Sequence, residues 1–517
     1  MTDPSWSEGY VVDLDYTRGY FRELSPAHLR FVLLLAGMEP PGAAQPFTYY
    51  ELGCGNGYST ALHAAASPHG RFCGVDFNPT HIHHAQKLAQ DTGLGNVRFL
   101  EKSFAELLEF DLEDADYIVL HGVWSWVGEE QRAQLLEFLR RRLKPGGIVY
   151  VSYNALPGLA QVAPLQHLLN AHASLAAGDR IEKVRRSMDF AARLQKAGAR
   201  FFTVSPVAGA RLASMARHDP HYLAHEYYNA NWSPFYHAEV TQALASAKLS
   251  YAGAASVFDN FDQFTLNPEV AQLVGDVGER ALAETIKDYA RNQSFRRDVY
   301  ARGMTKASPP ALEAALEQAR FALARPRPSC RMQQTTVAGE VTLQPESYAP
   351  VVDALARAPM TFGELARAPE CAGLNRGKLR QAVFGMAALG NVQAALPDAG
   401  EDARRERTSR FNAVALRAPI VDAGDLYLAS PVTGAGVAVN LIDRLFLAAK
   451  DEASGIESAC AAAASGRLKV RHKEEKALES ADEQDAYIRE RARFFFADLY
   501  QLPLIRTGAP IGAVRWT

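Results

Sequence analysis

Apolar runs alternate with helix-spaced hydrophobic residues most clearly between residues 47 and 153. Short runs of aromatic, β-branched and other apolar residues predict buried strands at 47–52, 71–75, 96–100, 115–121 and 148–153. Helical patterns follow the first, second and fourth of these strands, whereas the third and fourth strands are expected to follow one another directly. The helical pattern over 129–143 places its leucines and Phe138 on one face. Its last turn carries three arginines, where positive charge is favourable. Strands that alternate with helices predict a parallel sheet covered on both faces.

Outside this stretch the pattern is mostly helical. Ser25 and Pro26 predict the N-cap and first position of a helix that ends at Gly37. Residues 160–235 predict a helical insertion, after which 237–265 returns to the sheet with a helix and a strand. The later segments predict, in order, helices over 266–323, a proline-rich linker at 325–329 and a small winged helix over 347–396, with a basic wing tip at 404–410.

Composition restricts the class of protein. A chain of 517 residues is too long for one hydrophobic core, so we expect two to four domains. The hydrophobic fraction of 48% and the charged fraction of 22% are typical of soluble globular proteins, and a net charge of −3 argues against a general nucleic-acid binder. Five cysteines without C-x-x-C spacing, no signal peptide and no bilayer-length apolar run predict a cytoplasmic protein without membrane insertion.

The strongest chemical signal lies in residues 47–60. Gly53, Gly55 and Gly57 follow the first predicted strand at alternate positions, and an alanine-rich helix follows them. Glycines at such a turn allow positive φ angles and let a ligand lie against the main chain. The first turn of the helix presents free N–H groups to that ligand. Asp76 ends the second strand, where its carboxylate can accept hydrogen bonds from both ribose hydroxyls of a nucleotide-like ligand.

The run Glu51-Leu52-Gly53-Cys54-Gly55-Asn56-Gly57 resembles motif I of class I AdoMet-dependent methyltransferases more than the G-x-G-x-x-G of dehydrogenases. Val75-Asp76, Lys102-Ser103-Phe104 and Leu143-Lys144-Pro145-Gly146-Gly147 extend the resemblance in the same order. It implies S-adenosyl-L-methionine (AdoMet) as cofactor and S-adenosyl-L-homocysteine (AdoHcy) as product. The implied cofactor-binding residues are Tyr16, Tyr20, Glu51, Gly53, Gly55, Gly57, Asp76, Phe77, Ser103, Phe104 and His121.

A narrower resemblance begins at residues 118–127, which read Ile-Val-Leu-His-Gly-Val-Trp-Ser-Trp-Val. This stretch is similar to one in bacterial methyltransferases that carry a methyltransferase regulatory domain. The rickettsial outer-membrane-protein lysine methyltransferases are the best-known members. Residues 145–158 resemble that group's fifth strand and turn, whereas 222–239 and 293–297 resemble the regulatory domain itself. The C-terminal third matches only loosely. The resemblance implies a protein lysine as the acceptor.

Aromatic residues are expected around the pocket. Methyl transfer mainly requires alignment and exclusion of water, and an amine acceptor must be neutral, which desolvation favours. Aromatic rings also attract a cationic sulfonium. Trp124 and Trp126 follow the fourth strand, and Tyr153 ends the fifth. Packing is the alternative role for each ring, and His121 could contact either the acceptor or the cofactor. The predicted catalytic residues are Tyr153, His121 and Trp124.

Three further groups of residues have more than one possible role. Tyr16 and Tyr20, in the aromatic N-terminal segment, could form a lid over the cofactor or pack on the helix that follows. A metal site could be formed by His218, His221, His225, Glu226 and His237, since His221 and His225 are spaced to share a helix face with a ligand. No H-E-x-x-H is present, so we predict no metal and expect these residues to face a substrate or to be hydrogen-bonded in the core. The histidines at 81–84 are expected on an exposed helix surface.

The predicted fold is α/β. It comprises a Rossmann-like class I methyltransferase sheet with a helical insertion and a mainly helical C-terminal region that contains a winged-helix-like domain. The predicted regions are an aromatic lid and helix (1–45), the AdoMet-binding domain (46–265, with the insertion at 160–235), a helical regulatory region (266–330), the winged-helix-like domain (331–420) and a C-terminal α/β region (421–517).

The predicted function is AdoMet-dependent methyl transfer to a polypeptide nitrogen, with a lysine side chain preferred. One alternative is a methyltransferase for small molecules or natural-product peptides. Another is a non-catalytic AdoMet sensor that uses the winged helix, and a nicotinamide dehydrogenase is a more distant one. We expect a polypeptide partner and no nucleic acid, and a homodimer is left open.

Overall fold

The computed structural model describes residues 10–11, 19–336, 339–417, 425–449, 451–465 and 480–500, together with the single residues Leu468, Val470, Leu478 and Leu502. Within these ranges, no helix has both the length and the apolar character that a membrane span requires.

A central sheet of seven strands organises the first 302 residues. Its strands are β1 (Phe47–Leu52), β2 (Gly70–Asp76), β3 (Val97–Glu101), β4 (Ala115–Leu120), β5 (Leu143–Asn154), β6 (Leu249–Ala254) and β7 (Phe295–Arg302). The spatial order is β3-β2-β1-β4-β5-β7-β6, and the first five strands pair in parallel. β7 runs antiparallel to both β5 and β6. This arrangement confirms the predicted Rossmann-like sheet.

Helices cover both faces of the sheet, as the apolar strands require. They are α1 (Pro26–Leu35), α2 (Tyr58–Ala66), α3 (Pro79–Thr92), α4 (Phe104–Glu109) and α5 (Glu129–Arg142). Pro26 occupies the first turn of α1, as predicted. The Asn78 side chain accepts a hydrogen bond from the Thr80 amide at the start of α3, and Gly93 ends that helix with a φ of 65°.

The insertion between β5 and β6 is helical, as predicted. It contains α6 (Ala163–Leu175), α7 (Arg180–Lys196), α8 (Arg200–Val204), α9 (Pro206–Met215) and α10 (Pro220–Tyr227). These helices share a small core of their own, separate from the sheet, that includes Leu165, Leu169, Val184, Leu212 and Leu223. The helix α11 (His237–Ala245) then leads into β6.

The expectation of helices throughout 266–323 is wrong at β7. Three helices precede this strand: α12 (Asp262–Thr265), α13 (Pro268–Asp276) and α14 (Arg280–Arg291). β7 contains Arg296 and Asp298, and such charges argue against a buried strand when the sequence is considered alone. Both residues are buried here because they form an ion pair with each other. The sheet therefore continues to residue 302.

The C-terminal part is mainly helical with small sheets. Its helices are α15 (Pro309–Gln318), α16 (Pro345–Arg357), α17 (Phe362–Arg367), α18 (Arg376–Ala388), α19 (Glu401–Leu416), α20 (Leu441–Ala448), α21 (Glu452–Ala464) and α22 (Ala481–Phe494). Its strands are β8 (Arg320–Leu323), β9 (Gln333–Thr336), β10 (Gly339–Thr342), β11 (Met360–Thr361), β12 (Val392–Ala395), β13 (Leu426–Ala429) and β14 (Gly436–Val439).

The winged helix stays a prediction. The helices α16, α17 and α18 lie in the predicted order beside the three-stranded sheet β11-β8-β12. The basic run 404–410, however, lies inside α19 and forms no wing tip. Arg404 is buried there, and its Nε donates a hydrogen bond to the Pro431 carbonyl at 2.7 Å.

The C-terminal part packs directly on the helix that follows the glycine turn. α19 contacts α2, and the Tyr58 hydroxyl of α2 donates a hydrogen bond to the Tyr427 carbonyl at 2.5 Å. Phe411 and Phe446 belong to the same hydrophobic core as the α2 side of the sheet. The C-terminal part therefore supports the turn at which a ligand is expected.

Candidate active site

A cavity, here called the first cavity, lies at the carboxyl ends of β1, β2 and β4, where parallel sheets bind ligands. It brings together residues from five separate stretches of the chain. Its wall includes Tyr10, Phe21, Glu51, Gly53, Gly55, Asp76, Phe77, Lys102, Ser103, Phe104, His121, Gly122 and Trp126.

The glycine turn forms the floor of the first cavity. Gly53, Gly55 and Gly57 have φ angles of 75°, 52° and 70°, which L-residues with side chains rarely adopt. A Cβ atom on Gly57 would lie 2.6 Å from both the Ala85 Cβ and a Phe99 ring carbon. A Cβ atom on Gly55 would meet no atom within 4 Å. Gly57 is thus required by packing, whereas Gly55 leaves its main chain open to a ligand.

Asp76 is tied to the glycine turn and still faces the cavity. Its Oδ2 accepts a hydrogen bond from the Gly55 amide at 2.9 Å, and its Oδ1 accepts one from the Asn78 amide at 2.9 Å. His81 Nδ1 lies 3.3 Å from Oδ1. His81 is buried, so the expectation that it lies on an exposed surface is wrong. A carboxylate can accept about four hydrogen bonds, so capacity remains for ligand hydroxyls.

Glu51 is a buried acid beside the glycine turn. Glu51 lines the first cavity, and its Oε2 accepts a hydrogen bond from the Thr60 hydroxyl at 2.5 Å. Burial raises the pKa of Glu51 from 4.5 to about 7, and the nearby Asp76 acts in the same direction, against the Thr60 hydrogen bond. Glu51 can therefore gain or lose a proton near neutral pH.

Ser103 and Phe104 line the first cavity, where they could pack against one face of a flat ring. Ser103 is the N-cap of α4: its amide donates to Glu106 Oε2 at 2.8 Å, and its Oγ accepts from the Glu106 amide at 3.3 Å. This capping box holds the start of α4 at the cavity wall, beside Phe77.

His121 closes the other end of the first cavity as a neutral imidazole. Its Nδ1 lies 2.8 Å from the Tyr150 hydroxyl, and its ring stacks on Phe21 with 3.5 Å between ring centroids. Burial, with a smaller contribution from the nearby Arg297, lowers the pKa of His121 to about 3. A neutral imidazole does not repel a cationic ligand.

Three predicted residues, Tyr20, Trp124 and Tyr153, are placed away from the first cavity. Tyr20 packs against Tyr427 and its hydroxyl oxygen accepts a hydrogen bond from the Gly436 amide at 2.5 Å. Trp124 is buried in the core below the sheet end, where Trp126, two residues on, lines the cavity instead. Tyr16 lies outside the described residues.

Tyr153 has its hydroxyl in a buried polar network behind the sheet. This hydroxyl donates a hydrogen bond to Asp298 Oδ2 at 2.6 Å and lies 3.3 Å from His237 Nδ1. Burial raises the pKa of Asp298, but the Arg296 guanidinium outweighs this effect and lowers the pKa to about 2. Arg296 also forms ion pairs with Asp288 and Glu284. The network therefore fixes the edge of the sheet beside the cavities.

A second cavity adjoins the first. Its wall shares Tyr10, Phe21, His121, Gly122 and Trp126 with the first cavity. The remaining wall comes from the end of β5, the helical insertion with its flanking loops, and the start of β7, and it includes Leu159, Arg211, Tyr222, His225, Glu226, Tyr227, Trp232, Phe295 and Arg297. The helical insertion and β7 therefore meet the first cavity across one layer of side chains.

Sequence reasoning missed some of these wall residues. Phe21 was one of several N-terminal aromatics, and its stacking on His121 joins residues 100 positions apart. Arg211, which was not singled out, lies on a helix of the insertion, far from the strand ends. No signal in one sequence reports that such helices fold back over the sheet. Among the described residues, no group of three His, Cys, Asp or Glu side chains could hold a metal ion.

Comparisons with known proteins address the family. A methyltransferase-domain model matches residues 50–147, and a model described as a predicted methyltransferase regulatory domain matches residues 219–302. An uncharacterized protein of Synechocystis sp. is 35% identical over 501 residues, which cover 97% of this chain and 99% of the relative. This chain belongs to the class I methyltransferases that carry a methyltransferase regulatory domain. The resemblance stated from the sequence is confirmed.

Two rickettsial proteins are also similar to this methyltransferase. An uncharacterized protein of Rickettsia prowazekii is 28% identical over 279 residues, covering 53% of this chain and 49% of the relative. The structure of PKMT2 from Rickettsia typhi in complex with AdoHcy has a TM-score of 0.69 at 18% identity, covering 95% of this chain and 99% of that one. At that identity the likeness shows the fold.

The methyltransferase uses AdoMet and releases AdoHcy. The first cavity fits this cofactor on the geometry given above. Gly55 leaves open space against the main chain, Asp76 presents a carboxylate with spare acceptor capacity, and rings at 77 and 104 can flank an adenine. The neutral His121 tolerates a sulfonium nearby.

Proposed function

We propose that this enzyme methylates lysine side chains of polypeptides. The proposal rests chiefly on the second cavity, which adjoins the first across the shared residues Phe21, His121 and Trp126. An acceptor in the second cavity would reach the cofactor only past this aromatic wall. Aromatic surroundings favour both a desolvated amine and a cationic product. The fold likeness to PKMT2 over nearly the whole chain adds support.

We assign the cofactor contacts to the first cavity. Gly53 and Gly55 lie against the amino-acid part of AdoMet, while Gly57 keeps the turn in place. Glu51 faces the ammonium group of the amino-acid part, and Asp76 accepts hydrogen bonds from the ribose hydroxyls. Bound AdoMet supplies a methyl group on a sulfonium. The acceptor lone pair forms the N–C bond as the C–S bond breaks, and the electron pair of the C–S bond stays on sulfur.

Phe77, Ser103 and Phe104 take the adenine in this proposal. His121 borders both the cofactor and the acceptor, and its stack with Phe21 excludes water. Trp124 and Tyr153 act as positioning residues, because the first packs beneath the loop that carries Trp126 and the second holds β5 to β7 through Asp298.

Mass spectrometry tests the acceptor class. The full-length enzyme and isotopically labelled AdoMet are incubated with lysine-containing polypeptides, including poly-L-lysine, and digests are searched for methylated residues. We expect label on lysine nitrogen with the native enzyme. The Gly55→Ala variant, run in parallel as the control for cofactor binding, should transfer less label. Label on a small metabolite alone, or on another residue type, would contradict the lysine assignment and leave the AdoMet assignment intact.

A further inference from the structure

Glu226 is the one carboxylate among the described residues that line the second cavity. It lies on α10, and its backbone carbonyl accepts a hydrogen bond from Trp126 Nε1 at 3.4 Å. Trp126 lines both cavities, so Glu226 lies next to the wall between them. Among the described residues, none donates a hydrogen bond to its carboxylate or forms an ion pair with it.

The surroundings of Glu226 combine rings with few charges. Tyr222, Tyr227 and Trp232 line the same cavity. Burial raises the pKa of Glu226 to about 7, although Arg211 on α9 acts in the opposite direction. A partly buried acid without a fixed partner, beside aromatic rings, suits a cationic guest that brings its own charge and hydrogen-bond donors.

Two arginines, Arg211 and Arg297, also line the second cavity and could compete with a cationic guest for Glu226. Arg211 interacts with Glu226 electrostatically but lies too far away for an ion pair, so it favours the ionised carboxylate without occupying it. Arg297, on β7, interacts electrostatically with Glu23, which offsets its charge. The other titratable groups of this wall are His121, which is neutral, and His225 with the tyrosines at 10, 222 and 227. Glu226 therefore remains the anionic group available to an ammonium ion.

We propose that the second cavity is a binding site for a primary alkylammonium group and that Glu226 accepts its proton before methyl transfer. In this step an N–H bond of the ammonium breaks, an O–H bond forms on the Glu226 carboxylate, and the electron pair stays on nitrogen as the lone pair. A base whose pKa lies near the working pH suits this role. The inference rests on the proposed lysine acceptor and names the residue that recognises it.

Binding of a lysine side-chain analogue tests the site without any activity. The full chain, with AdoHcy added, is titrated with n-butylamine hydrochloride at pH 8 while tryptophan fluorescence is recorded. We expect saturable binding to the native enzyme, at least 10-fold weaker binding to Glu226→Gln, and partial recovery with Glu226→Asp. Glu269→Gln, an exposed change on α13, is the matched control and should bind as the native enzyme does. Equal affinity in Glu226→Gln, or no saturable binding to the native enzyme, would overturn the proposal.

A pH profile tests the proton transfer. With poly-L-lysine as acceptor, the native rate should level off above about pH 7. The Glu226→Gln rate should be lower at pH 7 and should continue to rise roughly tenfold per pH unit toward the ordinary lysine pKa. Unchanged AdoHcy binding by calorimetry shows that the variant is folded. Coincident profiles would overturn the role of Glu226 alone, whereas a native enzyme that methylates no polypeptide nitrogen would contradict the lysine acceptor itself.

Discussion

Replacing Gly55 and Gly57 by alanine, one at a time, separates cofactor binding from folding within a single turn. Both residues have positive φ angles, of 52° and 70°, so both variants carry similar backbone strain. They differ in what the added methyl group meets. At Gly57 the methyl group meets the Ala85 side chain and the Phe99 ring at 2.6 Å, but at Gly55 it points into open space.

The expected magnitudes follow from these contacts. A left-handed conformation costs an alanine about 1–2 kcal/mol. Overpacking at residue 57 adds about 1–3 kcal/mol, so Gly57→Ala should lose a few kcal/mol of stability. Gly55→Ala should lose only the backbone part. Its methyl group occupies the space assigned to AdoMet, and a clash of about 1–3 kcal/mol would weaken cofactor binding roughly 5- to 150-fold.

Two measurements on the same samples give the comparison. Thermal unfolding reports stability, and calorimetric titration with AdoHcy reports affinity at a temperature where both variants are folded. We expect Gly57→Ala to show the larger drop in melting temperature, and Gly55→Ala to show the larger loss of affinity relative to its loss of stability.

Gly55→Ala with native AdoHcy affinity would refute the assignment of the open space at the turn to the cofactor. Gly57→Ala with native stability would refute the packing argument, because the Ala85 and Phe99 contacts would then relax at little cost. Either result can occur without the other, so the two halves of the reasoning are tested separately.

Three further outcomes are expected. Asp76→Ala should weaken AdoHcy binding by roughly 1.5–3 kcal/mol per lost ribose hydrogen bond, measured by calorimetry, and unchanged affinity would place the ribose elsewhere. Glu51→Gln should stabilise the ligand-free enzyme at pH 8 by roughly 3 kcal/mol and leave its stability unchanged near pH 4. The reason is that folding raises the pKa of Glu51 from 4.5 to about 7, so the native free energy of unfolding falls as the pH rises between these two values. Melting temperatures at the two pH values check this, and an equal shift at both would contradict it. Arg296→Met should cost about 3–5 kcal/mol, since it leaves buried Asp298 and Asp288 without their cation, and a native melting temperature would show that these acids need no such partner.

Local patterns were sufficient for the nucleotide-binding half of the fold. The strands over 47–153 and the helices α2, α3 and α5 lie where their apolar spacing predicts, whereas the short helix α4 between β3 and β4 was not predicted. The Pro26 start of α1 was readable because helix starts depend on neighbouring residues. β7 could not be predicted, because the charged residues Arg296 and Asp298 are untypical of a buried strand. They are buried in this strand because they form an ion pair with each other. The pattern of one segment carries no information on a partner that lies elsewhere in the fold.

The amino-acid sequence by itself determined the five parallel strands β1 to β5, the glycine turn and the acid at the end of β2, because these features depend on residue spacing along short segments. Only the tertiary structure decided which rings face the cavities, with Trp126 at the wall and Trp124 in the core. It also decided that the Tyr153 hydroxyl binds Asp298, and that Glu226 reaches the wall shared with the first cavity. These contacts join residues about 100 or more positions apart, and burial, which sets their chemistry, is a property of the packed chain.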